Sequence, residues 1–213
     1  MKLYDYWRSS SAWRVRIALA WKGIAYQREA VNLHPSTLQQ HTPAFRGINP
    51  AGQVPVLELD DGRRLMQSMA ILEYLEERFP APPLLPADPW ARARARQLAE
   101  MVNAGIQPLN NQSTLQHVKG ALGGDPDVWV RHFVGRGLAA LEGAAGETAR
   151  TFMVGDELSF ADVYLVPQLY VARRYGVELG SYPTLTGVEA ACAALPAFAA
   201  AHPDVQPDAP RAG

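Results

Sequence analysis

Along this 213-residue chain the hydrophobic positions repeat with two different rhythms. The first part reads as short strands interleaved with helices. Leu3-Tyr4-Asp5-Tyr6 predicts a short aromatic strand, and residues 26–31 predict a second. Between them, residues 12–22 place Val15, Ala18, Leu19 and Lys22 at helical spacing, with Gly23 as the C-terminal stop. Residues 54–59 and 64–66 flank Asp60-Asp61-Gly62, a hairpin signal. Ser68 is placed to cap an amphipathic helix with Ile71, Leu72, Leu75 and Phe79 on its apolar face. Glu73, Glu76, Glu77 and Arg78 lie off that face. The order β-α-β-(α)-β-β-α predicts a small mixed sheet covered by helices.

The segment Phe79-Pro80-Ala81-Pro82-Pro83-Leu84-Leu85-Pro86-Ala87-Asp88-Pro89 holds five prolines in eleven residues. Proline lacks the donor that helices and ladders use, so residues 80–89 read as an extended linker. Beyond it the rhythm is helical. Alanine, leucine and arginine dominate residues 90–118, and residues 128–141 repeat at helical spacing. Ser159 stands three residues before Asp162, a capping-box pattern, with Leu158 and Val163 as its hydrophobic staple. The expected organisation is an α/β domain over residues 1–79, the linker over 80–89, and an all-α domain over 90–213. The polar, proline-rich tail after His202 predicts a surface strap or a frayed end.

Charge narrows the function classes. Twenty basic residues against 21 acidic ones leave a formal charge of −1, which builds no field for nucleic acid. The opening Met1-Lys2-Leu3-Tyr4-Asp5-Tyr6-Trp7-Arg8 breaks the apolar run of a signal peptide. The most apolar later segments are interrupted by proline and shorter than the roughly 18 residues of a membrane span. Neither a membrane nor a nucleic-acid partner is expected. The lone cysteine, Cys192, excludes an intrachain disulfide, a Cys-x-x-Cys redox pair and a multi-cysteine zinc site. A reducing, cytoplasmic setting is the default expectation, and sulfur chemistry would need a sulfur brought by a ligand. His34, His41, His117, His132 and His202 contain no i, i+4 pair, so no metal is expected. Arg92, Arg94 and Arg96 spread over several helix faces and read as a solvated or dimer-facing helix.

Three short segments carry candidate chemistry. Ser9-Ser10-Ser11 follows the first strand and opens the first helix. Hydroxyls and free amides at a helix N-terminus stabilise an anion, and they lower the pKa of a thiol placed there. One of these serines acting as a cap, with the others filling a turn, is the plain alternative. Pro55 cannot donate to a ladder, so it belongs at a strand edge or in a special turn. A cis Val54–Pro55 bond would leave the Val54 backbone open to an extended peptide-like ligand; ordinary trans proline is the alternative. Gln67-Ser68 at the next helix start could hold a carboxylate.

These motifs together resemble the zeta class of the glutathione transferases, the maleylacetoacetate isomerases. The family signature Ser-Ser-Cys-x-x-Arg-Val-Arg-Ile-Ala-Leu stands here as Ser9-Ser10-Ser11-Ala12-Trp13-Arg14-Val15-Arg16-Ile17-Ala18-Leu19. Asn49-Pro50, Gln53-Val54-Pro55, Gln67-Ser68, Ile106-Gln107-Pro108-Leu109-Asn110-Asn111, Val154-Gly155-Asp156 and Gln206-Pro207-Asp208 are similar as well. The likeness runs through essentially the whole chain. It implies an N-terminal thioredoxin-like domain, a C-terminal helical-bundle domain, glutathione as cofactor and a homodimer. It also makes a cis Pro55 the expected form.

The resemblance assigns roles residue by residue. Ser10 would hydrogen-bond the glutathione thiolate, helped by Ser9, with Ser11 in the same turn. Gln40 would contact the tripeptide, Val54 would pair with its cysteinyl unit, and Gln67 and Ser68 would hold the γ-glutamyl end. Gln107, Asn111 and Ser113 match family contacts from the helical domain. The departure is Ser11, where the family usually carries cysteine. This casts doubt on reactions needing an enzyme thiol there and leaves isomerisation untouched. The implied reaction is glutathione-dependent isomerisation of maleylacetoacetate to fumarylacetoacetate, a step of tyrosine and phenylalanine breakdown. Arg8 and Arg174 are the candidates for gripping the dicarboxylic substrate, because a guanidinium holds a carboxylate bidentately. Maleylpyruvate isomerisation, conjugation of haloacids or other electrophiles, and a non-catalytic glutathione-binding scaffold are the alternatives.

Overall fold

A computed structural model describes residues 1–210 of the chain. Two compact units divide it: Met1–Pro82 together with the segment from Leu195 onward, and Pro83–Ala194. The first unit contains β1 (Lys2–Asp5), α1 (Ser10–Trp21), β2 (Gln27–Ala30), α2 (Pro43–Arg46), β3 (Val56–Glu58), β4 (Arg64–Met66) and α3 (Ser68–Arg78). The sheet order is β2-β1-β3-β4, with β1 parallel to β2 and antiparallel to β3, and β4 antiparallel to β3. The register aligns Tyr4, Val56 and Met66. Because β3 runs against its two neighbours, the end of β1, the start of β3 and the end of β4 share one end of the sheet. The expected hairpin is present, with Gly62 at φ +83° in its turn and Glu58 paired to Arg64 across the strands at 2.6 Å.

α1 differs from its sequence pattern. Its residues from Ala12 to Leu19 are buried all round, Arg14 and Arg16 included. Each guanidinium is buried because it has partners. Arg14 Nη1 donates to Ser68 Oγ at 3.2 Å, and Arg16 Nη1 donates to both Asp5 oxygens at 2.7 and 2.8 Å. Removing one member of such a buried pair costs about 3–5 kcal/mol. At the far end of α1, Lys22 Nζ pairs with Glu76 of α3 and donates to the carbonyls of Phe79 and Pro82. α3 starts one residue earlier than expected, at the residue read as its cap. Ser68 is its first residue, and Gln67 occupies the cap position without a side-chain capping bond.

The second unit comprises α4 (Pro89–Asn103), α5 (Gln112–Gly120), α6 (Pro126–Ala145), α7 (Phe160–Arg174) and α8 (Pro183–Ala193). Among its described residues there is no strand. Pro89 opens α4, where a missing donor is harmless, and Asp88 caps it by accepting from the Ala91 amide. The proline stretch therefore ends one residue early. The helical run expected through residue 118 breaks after Asn103, where Pro108 sits in a 3₁₀ turn over Gln107–Asn110. The core is built from Leu98, Val102, Val134, Leu138, Leu141, Phe160, Tyr164 and Leu169. Burying each such leucine or phenylalanine contributes about 1.5–3 kcal/mol. Arg94, expected on a solvated helix, is buried and donates to the Ala144 carbonyl and to Glu147, each at 2.6 Å.

The capping box at Ser159 and Asp162 is present. Asp162 is fully buried and accepts from the Met153 amide, the Ser159 amide and the Ser159 hydroxyl, each at 2.8 Å. Burial pushes its carboxyl up to about 6, against the downward pull of those hydrogen bonds.

The tail is neither frayed nor part of the helical unit. α9 (Pro196–Ala201) packs against α1, and Arg16 Nε donates to the Ala201 carbonyl at 3.1 Å. Gln206 Nε2 donates to the carbonyls of Ala200 and His202, while Asp208 Oδ2 accepts the Trp7 amide at 3.1 Å. These polar ties draw the segment from Leu195 onward to the first unit, away from the 90–213 domain read from the sequence. Residues 211–213 of that expected domain lie outside the described residues. No helix among the described residues is long and apolar enough to cross a membrane.

Candidate active site

The serine turn sits at the sheet end described above, between β1 and α1. Ser9 is the N-cap, and its hydroxyl oxygen accepts the Ala12 amide at 3.2 Å. Ser10 and Ser11 are the first two helical residues. Their hydroxyls and amides have no hydrogen-bond partner among the described residues. Ser10 is buried, Ser11 half-buried, and no acidic residue stands in the first turn. Capping therefore occupies one serine and leaves the other two open. Such an N-terminus, with its dipole and free donors, stabilises an anion.

Val54 lies at the same end, just before β3. Its peptide bond to Pro55 is cis, and its own N–H and C=O make no hydrogen bond among the described residues. The turn leading to it is shaped by Asn49. The Asn49 Nδ2 donates to the Gln53 carbonyl at 2.7 Å, and its Oδ1 accepts the Ala51 amide at 3.0 Å. Gly52 has φ +62° in this turn, and a Cβ there would stand 3.0 Å from the Gln40 carbonyl oxygen. Gln40 is thus packed against the turn. Its side chain is buried, and its Oε1 has no hydrogen-bond partner among the described residues. A buried unpaired carbonyl oxygen costs about 1–3 kcal/mol, which an arriving donor would offset.

Gln67 and Ser68 complete this end of the sheet. Gln67 has φ +72°, a region that few residues other than glycine adopt, and such strain persists where the surroundings hold it. Its side chain is exposed, whereas Ser68 is buried under the Arg14 guanidinium. The following amides of Met69 and Ala70 have no partner among the described residues. The site thus offers a second helix N-terminus with open donors.

Arg8, between β1 and the serines, is half-buried and lies over the Trp7 ring at 5.1 Å. It forms no ion pair among the described residues. The peptides on either side of it are held. Arg16 donates to the Tyr6 carbonyl at 3.3 Å and to the Trp7 carbonyl at 2.8 Å. Arg28 bridges Asp5 at 2.6 Å and Asp208 at 2.7 Å. Burial works against the Arg28 cation, but these two carboxylates overcome it and raise its pKa.

The candidates on the helical unit are more scattered. Gln107 is buried and donates through Nε2 to Asn111 Oδ1 at 2.6 Å. Ser113, in the first turn of α5, and Arg174, at the end of α7, are exposed. Arg174 lies over the Tyr175 ring at 5.2 Å.

Sequence reading singled out Ser9, Ser10, Ser11, Val54, Pro55, Gln67 and Ser68, and the topology brings them to one end of the sheet. It gave no separate role to Asn49, Arg14, Asp5, Arg16, Arg28 or Asp208. One signal was available: Arg14 and Arg16 stand inside an otherwise apolar helix, where a charge needs a partner to be buried.

Family models match both units. The model described as glutathione S-transferase, N-terminal domain, covers residues 8–78, and that for the C-terminal domain covers residues 131–196. The chain belongs to the glutathione S-transferase family. Maleylacetoacetate isomerase of Pseudomonas aeruginosa is 49% identical to it over 215 residues, all of both chains. The crystal structure of maleylacetoacetate isomerase from Anaeromyxobacter dehalogenans, with glutathione bound in its active site, superimposes with a TM-score of 0.90. It shares 56% identity, over 98% of this chain and 97% of that one. The same bacterial enzyme has been crystallised with dicarboxyethyl glutathione and citrate in its active site. A maleylpyruvate isomerase described as a zeta-class bacterial glutathione S-transferase gives 0.93 at 40% identity, over 99% and 100% of the two chains. This transferase is thus similar along its full length to zeta-class isomerases.

Proposed function

We propose that the protein catalyses the glutathione-dependent isomerisation of maleylacetoacetate to fumarylacetoacetate. The observation that carries this reading is the open N-terminus of α1, with a buried Ser10 hydroxyl that nothing else in the fold occupies. The site fits glutathione on three further counts: the unpaired Val54 backbone, the orphaned Gln40 Oε1 and the free amides at the start of α3. Bound glutathione supplies the nucleophilic sulfur that adds to the cis double bond and leaves once the resulting single bond has turned. Ser10 donates its hydroxyl to the sulfur, and the Ser10 and Ser11 amides add the positive end of the helix dipole. Val54 pairs with the extended peptide, and Gln40 accepts from it. Gln67, Ser68 and the α3 amides hold the γ-glutamyl carboxylate, with Arg14 fixing the Ser68 hydroxyl. Arg8 grips a substrate carboxylate and offsets the negative charge that builds on the substrate oxygens. Arg174 as a second carboxylate contact, and Gln107, Asn111 and Ser113 as tripeptide contacts, rest on the family resemblance. No enzyme thiol takes part, since serine stands at position 11.

The same reading includes a homodimer in the cytoplasm, as is usual for the family; size-exclusion chromatography with light scattering tests the dimer. The reaction itself is tested by incubating purified protein with glutathione and either maleylacetoacetate or maleylpyruvate, and following the trans product. The expected result is a higher kcat/KM for maleylacetoacetate. A preference for maleylpyruvate would move the assignment to that substrate. Conjugation of a haloacid without isomerisation would make it a transferase in the narrow sense. No turnover with glutathione still bound would leave a binding module.

A further inference from the structure

The C-terminal tail reaches the peptide that precedes the serine turn. Trp7 is held on both sides: Asp208 Oδ2 accepts its N–H at 3.1 Å, and Arg16 Nη2 donates to its C=O at 2.8 Å. The two holders belong to one ring of charges. Asp208 pairs with Arg28, Arg28 with Asp5, and Asp5 with Arg16. Two carboxylates and two guanidiniums balance, so the ring carries no net charge to perturb the site. It closes on Trp7, and Arg16 also donates to the Tyr6 carbonyl before it and to the Ala201 carbonyl. Arg8 follows directly, and Ser9 and Ser10 come next. Asp208 is itself fixed, because Gln206 ties the tail to the carbonyls of Ala200 and His202.

We propose that Asp208 is a positioning residue for the isomerase site: by holding the Trp7 amide it sets the placement of Arg8 and of the Ser10 hydroxyl. The inference rests on the reading above, in which Ser10 serves the glutathione sulfur and Arg8 the substrate carboxylate. Displacing such groups by about 1 Å can cost a hundredfold in rate.

Three variants of the full chain test it, with the parent assayed beside them. Asp208→Ala removes both the Trp7 acceptor and the Arg28 partner. Asp208→Asn keeps an oxygen for the Trp7 amide and loses the charge. Asp208→Glu keeps the charge and moves the acceptor by a methylene. Expected for Asp208→Ala is a fall in kcat/KM of about tenfold to a hundredfold. The diacid KM should rise, and so should the apparent pKa of bound glutathione, read from thiolate ultraviolet absorbance. Asp208→Asn should recover most of the kinetic loss while melting lower than the parent. Asp208→Glu should melt near the parent yet show the raised thiol pKa; if Asp208→Ala does not fold, this variant decides. Parental kinetics and thiol pKa in folded Asp208→Ala or Asp208→Glu would overturn the proposal. So would equal kinetic losses in the alanine and asparagine variants, which would reduce Asp208 to an ion-pair partner. A parent that binds glutathione without forming thiolate would instead overturn the functional reading beneath it.

Discussion

Two helices of this protein, α1 and α7, have a serine at the N-cap, and the two starts are put to opposite uses. At α7, Ser159 is fully buried, and Asp162 three residues on accepts both its amide and its hydroxyl. The helix start is closed by its own residues. At α1, Ser9 caps the Ala12 amide, but the third helical position is alanine and no acidic residue stands in the first turn. The Ser10 and Ser11 donors stay open. An anion is supplied from within the chain in one case and awaited from outside in the other. A closed helix start contributes stability, and an open one contributes a binding site at some cost in stability.

The strongest test exchanges the roles of the two serines. Ser10→Ala removes a donor aimed at a developing anion, for which about a hundredfold to a thousandfold loss in kcat is expected. Its melting temperature should stay close to that of the parent, since Ser10 makes no bond in the fold. Ser159→Ala should show the reverse, a lower melting temperature with parental kcat per folded molecule. Stopped-flow or coupled assays with melting curves on both variants decide it. Loss of stability rather than rate in Ser10→Ala would make the α1 start another cap.

Asp162 provides the next test, on the closed side. Asp162→Ala leaves three buried donors without an acceptor, and a loss of about 3 kcal/mol near pH 4 is expected. The pH dependence has a definite sign. The folded carboxyl titrates at about 6, above its unfolded value near 3.9, so the native state binds this proton more tightly. Its contribution is therefore fully present below about pH 4 and is lost as the pH rises through about 6. Denaturant titrations of parent and variant should show a deficit that narrows across that window. A constant deficit would mean that Asp162 titrates as an ordinary carboxylate. The thiolate absorbance of bound glutathione should be the same in both proteins.

The contrast between the two helix starts was partly visible in the sequence. Ser159 with Asp162 is a local pattern, and local patterns survive folding: the box and the Gly62 hairpin both appear in the structure. The openness of Ser10 and Ser11 was equally local, since no acidic residue follows. Long-range ties had no such signature. Asp208 and Trp7 are 201 residues apart, and neither carries a local mark of the other. The burial of Arg14 and Arg16 likewise depends on Ser68 and Asp5, so helical spacing alone did not show that α1 is buried all round from Ala12 to Leu19. Gln67 at φ +72° is a third case, because position in a turn sets that angle and glutamine does not announce it.

A smaller effect should follow from Ser9, which stands on both sides of the contrast. It closes one donor of an otherwise open helix start. Ser9→Ala should cost about 1 kcal/mol of stability, the usual worth of a cap. It should lower kcat well short of the Ser10→Ala loss, because the Ser10 hydroxyl and the two free amides remain. A kinetic loss equal to that of Ser10→Ala would show that Ser9 contacts the sulfur itself.

Cys192 should give the smallest effect of all. It is the only sulfhydryl the chain owns, and it sits next to the C-terminal residue of α8, at the end of a helix where the dipole disfavours an anion. Burial pushes its thiol pKa up, and the carboxylates of Asp162 and Glu189 push the same way. Every influence that would lower the pKa of a thiol at the start of α1 is thus reversed at Cys192. A neutral buried thiol is neither a nucleophile nor a ready target. The native protein should therefore react slowly with iodoacetamide, and Cys192→Ala should keep kcat/KM within about twofold of the parent. Rapid alkylation with loss of activity would place an enzyme thiolate in the reaction and remove the contrast on which Ser10 and Ser11 were assigned.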